Sequence, residues 1–323
     1  MSPRFSVILP VRNGERYIAE AVDSVLAQDF ADFELLVLDN DSQDATRRIV
    51  GERAGRDARI RLLHSDRTLG IEESWGRIHA LCAGGAVRGE FMTLLGHDDR
   101  YDTKFLGTIN FHSGRNPDAA LFQTHFQIID ENGLALRQCQ TMPYRESLGE
   151  LFTARCQHLR DSFGTGYCFR QKHYLECGGI PPYPRLMYAD DMLWLRLLRY
   201  GDKITAPEFL FGYRHHPTST SVEQNADRYR LTLTALRRFT EELARDFPDL
   251  VATESGAQAL QALIRPALVQ IEKGAYRVGL DLNLIREDWA ALATRLSADG
   301  RAPLQPRQRP FKRAWHALRR GLT

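Results

Sequence analysis

The sequence predicts an α/β fold: a mostly parallel sheet flanked by helices, followed by a helical C-terminal region. Three observations lead there. Over the first hundred residues, short apolar runs alternate with stretches of helical spacing, the pattern of strands joined by crossover helices. The runs FSVILPV (5–11) and FELLVLD (33–39) are apolar with almost no polar alternation, as strands covered on both faces are. From about residue 226 the strand signals stop and amphipathic stretches take over.

FSVILPV is the first strand. NGERYIAEAVDSVLAQ follows, with Ile18, Val22, Val25 and Leu26 at helical spacing and Asn13 placed to cap its start. FELLVLD is the second strand, and SQDATRRIV opens the next helix with Ser42 or Asp44 as cap. IRLLH (60–64) is a third strand, GIEESWGRIHALCAGG (70–85) a helix stopped by paired glycines, and EFMTLL (90–95) a fourth strand. Further on, KFLGTINFHSG reads as a helix, AALFQTHFQIID (119–130) as a strand, and DENG as a turn before another short strand. SFGTGYCFRQKHYLECGGI (162–180) reads as a glycine-rich stretch, then strand, then helix. MLWLRLLRYG (192–201) is a short apolar helix closed by Gly201, and FGYRHHPTSTS (211–221) a strand end running into a polar loop. DRYRLTLTALRRFTEELARDF, GAQALQALIRPALVQIEKGAYRVG and REDWAALATRLSA are the helical stretches of the final third.

Composition narrows the classes. Among 323 residues, 43 basic and 41 acidic side chains leave a net charge of +2, which gives no electrostatic reason to expect a nucleic-acid partner. Five cysteines without a CxxC pair read as reduced thiols and offer no zinc spacing. The N-terminal apolar run is too short for a signal peptide, and no run is long enough to cross a membrane. The expected location is cytoplasmic, with attachment to the inner face of the cell membrane left open. Residues 305–323 hold six Arg/Lys and no acid, with Phe311, Trp315 and Leu318 at helical spacing. That suits an interfacial basic helix on anionic lipid, or equally a plain terminal segment.

Ligands of such sheets bind at the carboxyl ends of the strands. There the sequence reads PVRNGE, DNDSQD, HSD and GHDD, so Asp39, Asp98 and Asp99 are expected at one crevice. Adjacent Asp98 and Asp99 suit a hard divalent cation bridging phosphates, or a solvated turn that caps the next helix. Asp39 suits hydrogen bonds from a nucleotide base or ribose, or plain turn-making. PVRNGE brings Arg12 and backbone N–H groups to the same edge, but lacks the endings of a P-loop or a dinucleotide fingerprint. In YADDMLWLRL, Asp190 and Asp191 suit either a helix start or a general base. His215 and His216 suit metal or phosphate contacts, or a plain surface role.

FSVILPVRNGERYIAEAVDSVLAQDFADFELLVLDNDSQDAT, RGEFMTLLGHDD, YADDMLWLRLLRYGDKI and YRHHPTSTS, in that order, resemble the family 2 glycosyltransferases. These are inverting enzymes of the GT-A fold that use nucleotide-diphosphate sugars. The resemblance covers roughly residues 5–220. It implies a GT-A domain over 1–222, with a nucleotide-binding half (1–100) and an acceptor half (101–222), before a helical region at 223–323.

By position, the resemblance implies that Asp39 contacts the donor base and that Pro10, Val11, Arg12, Asn13 and Glu15 line the nucleotide pocket. Asp98 would lie near the ribose or diphosphate, and Asp99, with Asp98 and His216, would hold Mn2+ or Mg2+. Asp190 falls where the family has its general base, with Trp194 and Arg196 setting the register and Asp191 the alternative. The chain departs from the pattern at Gly96, where the first acid of Asp-x-Asp-Asp stands, and at Ala189, where a glutamate stands.

The activity implied is inverting, metal-dependent sugar transfer from a nucleotide-diphosphate sugar to an acceptor hydroxyl. The acceptor would be a glycan or lipid-linked, in bacterial surface glycan or glycoconjugate assembly. One alternative is a catalytically inactive sugar-nucleotide-binding or scaffolding protein, for which Gly96 and Ala189 speak. A sugar-phosphate nucleotidyltransferase would want a Gly-rich basic loop after the first strand, which PVRNGE does not supply.

Overall fold

The computed structural model describes residues 2–216 and 226–277. The loop after His216, the stretch REDWAALATRLSA and the basic tail lie outside the described residues. In chain order the elements are β1 (Phe5–Val11), α1 (Ile18–Leu26), β2 (Phe33–Asp39), α2 (Thr46–Ala54), β3 (Ile60–His64), α3 (Ile71–Ala83), β4 (Phe91–Leu94), β5 (Arg100–Tyr101) and α4 (Phe105–Arg115). They continue with β6 (Leu121–Ile129), β7 (Ala135–Gln138), β8 (Arg145–Glu146), α5 (Leu148–Cys156), β9 (Tyr167–Arg170), α6 (Gln171–Glu176), α7 (Ala189–Leu197) and β10 (Lys203–Arg214). The last three are α8 (Ala226–Asp246), α9 (Pro248–Ala252) and α10 (Glu254–Arg277).

One sheet runs in the order β3-β2-β1-β4-β9-β6-β10-β5, with β7 paired to β6 and β8 to β10. The first four strands in that order are mutually parallel, as their crossover helices require. The second half is mixed: β9 runs antiparallel to both β4 and β6, while β6 and β10 form a long parallel pair. β1 and β2 are buried at every position, which explains why their sequences do not alternate. α1 buries Ile18, Ala21, Val22 and Val25, a single apolar stripe. α5 starts on a capping box between Ser147 and Glu150. β10 is interrupted between Ala206 and Phe211, where Pro207 and the exposed Glu208 sit in an irregularity rather than in the ladder.

The register of β1 creates the crevice. It pairs with β2 over its whole length, up to Val11 opposite Asp39, but with β4 only as far as Ile8 opposite Leu94. The Leu95 N–H still reaches the Ile8 carbonyl at 2.9 Å, and then the chain leaves the sheet. Pro10 faces that same side two residues on, where no partner remains to miss its N–H. The gap beside Pro10 and Val11 lies where the strand order reverses, the place at which open α/β sheets bind ligands.

α10 packs on α5 and α8, and α8 on α7. The described helices beyond residue 226 therefore belong to the same compact unit as the sheet. The division expected at 222–223 falls outside the described residues. No helix of the described residues is long and apolar enough to cross a membrane.

A buried ion group fastens β8 to β10. Lys203, fully buried, donates to Glu146 Oε2 at 2.7 Å, and Arg160 Nε donates to Glu146 Oε1 at 2.8 Å. Burial, more than any other influence, pulls the Lys203 pKa down, and Glu146 opposes it. Removing the acid strands two cations, whereas removing Lys203 leaves Glu146 its arginine. Glu146→Ala is expected to lower unfolding stability by about 3 kcal/mol or more, and Lys203→Met by less, read from urea denaturation of each variant.

Candidate active site

Polar staples hold the two loops at the carboxyl ends of β1 and β2 together. The N–H groups of Asn13, Gly14 and Glu15 donate to Ser42 Oγ (2.9 Å), Thr46 Oγ1 (2.8 Å) and Asp44 Oδ2 (3.0 Å). In return the Gln43 and Ala45 N–H groups donate to Asn13 Oδ1 (2.8 Å) and Glu15 Oε2 (2.9 Å). Asn13 does not cap α1, which begins five residues later after a turn closed on the Gly14 carbonyl. Its φ of 49° is a left-handed value that asparagine tolerates. Ser42 caps nothing either; Asp44 Oδ1 accepts from the Thr46 N–H at the start of α2. Of the pocket residues expected in PVRNGE, Asn13 and Glu15 spend their side chains on the neighbouring loop. Pro10 and Val11 are buried at the end of β1, and Arg12 is exposed.

Asp39 is fully buried, as its place at the end of β2 implies. Its carboxylate takes a hydrogen bond from Arg47 Nε at 2.7 Å and two long ones from the Ser42 N–H. Arg77, reaching across from α3, donates to the Asp39 carbonyl at 3.2 Å, and desolvation lowers its pKa. Two arginines that the periodicity of α2 and α3 did not single out thus frame the expected base site.

The GHDD turn carries the chain from β4 across the top of the sheet to β5. Its two aspartates point into different surroundings. Asp99 is 2% exposed and has both oxygens engaged: Oδ1 by the Arg214 N–H at 2.9 Å and Oδ2 by the Thr165 hydroxyl at 2.8 Å. Burial first, then the charge of Asp98, hold its pKa well above the usual carboxylate range. Asp98 is more open, and its Oδ2 lies 2.9 Å from His216 Nε2. Asp99, the expected leading metal ligand, has both carboxyl oxygens bonded to protein donors, whereas Asp98 and His216 face each other.

Gly96, in place of the family's first acid, is built into this turn. A Cβ there would stand 2.7 Å from Asp99 Oδ2 and 2.8 Å from Asp98 Oδ1. His97 lies close against Gly14, where a Cβ would stand 2.6 Å from its Cδ2.

Among the described residues no three His, Cys, Asp or Glu side chains gather as a complete metal cage. One carboxylate and one imidazole facing each other still fit Mn2+ or Mg2+, which commonly take few protein ligands and complete their shell with water and substrate phosphate.

The second acidic set opens α7. Neither aspartate caps it; both lie in its first turn, behind Tyr188. Arg155 grips Asp191 with two parallel bonds, Nε to Oδ1 at 2.7 Å and Nη2 to Oδ2 at 3.0 Å. Among the described residues, Asp190 accepts the Asp191 N–H, at 3.0 Å. Desolvation, reinforced by the Asp191 charge, pushes its pKa up to about 7.

The two sets belong to one site. Thr165, bonded to Asp99, adjoins Gly164, whose open face looks onto the Asp190 Cβ. Gly166 completes this strap with φ +79°, and a Cβ there would run into the Phe211 ring at 2.5 Å. Tyr213, stacked on Phe163 at 3.6 Å, has its hydroxyl pKa raised by burial, then by Asp99, Asp98 and Asp190. Its hydroxyl thus feels the charge of both pairs. Arg47, Arg77 and Arg155 were not singled out from the sequence; the partners of Arg77 and Arg155 lie 38 and 36 residues away along the chain.

The sequence profile described as "Glycosyl transferase family 2" matches residues 6–175. An uncharacterized glycosyltransferase of Haemophilus influenzae is 24% identical over 239 residues, 70% of each chain. One from Rickettsia felis is 28% identical over 138 residues, 42% of this chain and 21% of that one. Among the first relatives matched, from five Rickettsia species and H. influenzae, only that of H. influenzae is covered over two thirds of its length. In three dimensions the chain is similar to S. aureus TarS 1–349 in complex with UDP-GlcNAc, with TM-score 0.66 and 16% identity over 90% of this chain and 79% of that one. The mannosyltransferase PcManGT from Pyrobaculum calidifontis, in complex with GDP-Man and Mn2+, gives TM-score 0.55 and 17% identity over 91% and 81%. At such identities these two likenesses concern the fold.

Asp98 and Asp99 separate in a binding experiment. With UDP and GDP as probes, Asp98→Ala is expected to abolish the Mn2+-dependent part of the thermal stabilisation. Asp99→Asn, which can keep both hydrogen bonds, retains it. A second expectation concerns stability. The native Asp190 binds its proton up to about pH 7, while the unfolded chain releases it near pH 4, so stability falls as pH rises between those values. Asp190→Asn removes that loss, and its gain, on the order of a few kcal/mol, is larger at pH 8 than at pH 5. Denaturation at both pH values measures it.

Proposed function

The chain belongs to glycosyl transferase family 2, and on that premise we propose that it transfers a sugar from a nucleotide-diphosphate sugar to an acceptor hydroxyl in one inverting, cation-dependent displacement. The observation that carries the reading is the unequal treatment of two neighbouring acids. Arg155 neutralises Asp191, and Asp190 is left desolvated with a pKa near neutrality. A base poised near the working pH combines adequate basicity with an adequate deprotonated fraction.

In this reading the donor base sits at the end of β2 beside Asp39 and Arg77, and the diphosphate crosses Val11 toward Asp98 and His216. Those two residues would hold Mn2+ or Mg2+, which supplies Lewis-acid neutralisation of the departing diphosphate. Asp190 takes the acceptor's hydroxyl proton. The electron pair of the O–H bond goes to oxygen, which forms the new bond to the anomeric carbon. The old carbon–oxygen bond breaks, its electrons remain on the diphosphate, and the configuration inverts. Thr165 and Arg214 keep the Asp98–Asp99 turn in place. The nucleotide-sugar and Mn2+ complexes of the structural neighbours support the donor class and the cation. A glycan or lipid-linked acceptor in surface-glycan assembly is the setting we favour.

Release of nucleoside diphosphate from UDP- and GDP-sugars with Mn2+ tests the reading. Turnover is expected to rise with pH through about 7, as Asp190 loses its proton. Asp190→Asn is expected to lower it by roughly 100-fold or more. Wild-type and Asp190→Asn proteins turning over alike would sink the assignment of the base.

A further inference from the structure

We propose that Trp75 is the platform of an acceptor subsite, and that the acceptor presents to it the apolar face of a pyranose ring. This rests on the transferase reading above and names the acceptor side of the same site.

By spacing, Trp75 shares a helical face with Ile71, Ile78 and Cys82 and would be expected to complete the core stripe of α3. The structure does otherwise. α3 buries Ser74, Ile78 and Cys82, while Trp75, the bulkiest side chain of the helix, stays partly exposed. Among the described residues its indole has no hydrogen bond and no stacked ring.

The outer atoms of that indole and the base lie beside the same glycine. A Cβ built on Gly164 would lie 3.9 Å from Trp75 Cη2, 4.0 Å from Cζ3 and 3.9 Å from Asp190 Cβ. The indole and Asp190 thus flank one patch of bare backbone. The spacing is fixed from both sides. Glu72, on the same helix, accepts the Arg185 N–H at 2.7 Å and ties α3 to the segment that leads into Asp190. Thr165, next to Gly164, is bonded to Asp99.

A hydroxyl that gives its proton to Asp190 must lie within hydrogen-bond reach of it, so the ring carrying that hydroxyl lies over Gly164 and beside Trp75. A pyranose suits that position. Its axial C–H bonds turn partial positive charge toward the negative face of the indole, and its hydroxyls stay at the rim. The donor sugar, tethered through its diphosphate, belongs on the Asp98–His216 side.

Methyl glucopyranoside, galactopyranoside and mannopyranoside serve as probes, titrated by ligand-observed NMR with UDP and Mg2+ present. UDP and UDP-GlcNAc affinities are measured in parallel on wild type, Trp75→Ala and Trp75→Phe. At least one glycoside is expected to bind wild type, about tenfold more weakly in Trp75→Ala and by a smaller factor in Trp75→Phe. UDP and UDP-GlcNAc are expected to bind all three alike, which also shows the variants folded. Glycoside binding that is absent from wild type, or unchanged in Trp75→Ala, overturns the proposal. Loss of UDP-GlcNAc affinity with UDP affinity intact overturns it too, by moving the platform to the donor sugar. A wild-type protein that binds neither UDP nor GDP, nor their sugars, defeats the transferase reading itself, a result distinct from these.

Discussion

The guanidinium of Arg214 is the contact on which the arrangement of the site depends. Almost wholly buried at the end of β10, it donates to the Asp98 carbonyl, to the carbonyls of Asp130 and Glu131 and to Glu20 of α1. Its backbone N–H meanwhile holds Asp99. One side chain thus joins α1, the GHDD turn, the β6–β7 turn and β10. A buried arginine without full pairing would be costly. Here it is paired with the Glu20 carboxylate, and its remaining donors go to backbone carbonyls at the top of the sheet. Two residues further on, His216 faces Asp98, so the same strand end both fixes the turn and supplies the imidazole beside it.

Four aspartates in two adjacent pairs have been given four environments. Asp99 is bonded by two protein donors and withdrawn from solvent; Asp98 stays open beside an imidazole. Asp191 is neutralised by a bidentate arginine, and Asp190 is dried out with little compensation. Within each pair one member has both carboxyl oxygens held by fixed protein donors and its neighbour has fewer. Two like charges side by side would raise each other's cost of ionisation, and the division lowers it by committing one acid of each pair to a fixed partner.

Much of this was legible in the sequence where the signal is local. Unbroken apolar runs located β1 and β2, and aspartates following such runs marked the binding edge. The choice between Asp98 and Asp99 was not legible, since adjacent residues in a turn face different ways and no periodicity reports which. The choice between Asp190 and Asp191 depends on Arg155, 36 residues upstream, and the role of Arg214 on partners up to 194 residues away. Such pairings follow from strand order and not from neighbouring residues. Asn13 shows the reverse case: a residue type correct for a cap, used as a staple because α1 starts only after the Gly14 turn. Trp75 shows a helical stripe incompletely buried: Ile78 and Cys82 are in the core while Trp75 stays partly exposed.

The reciprocal bonds between residues 13–15 and 42–46 also bear on how this pocket can be altered. Each loop supplies the donors that satisfy the other's acceptors. They therefore behave as a single cassette split across two stretches of chain. Grafting only the first loop from a relative would strand hydroxyls and carboxylates on the second. Exchange of nucleotide preference by recombination would have to carry both segments together, and a crossover placed between β1 and α2 would break the cassette at its seam.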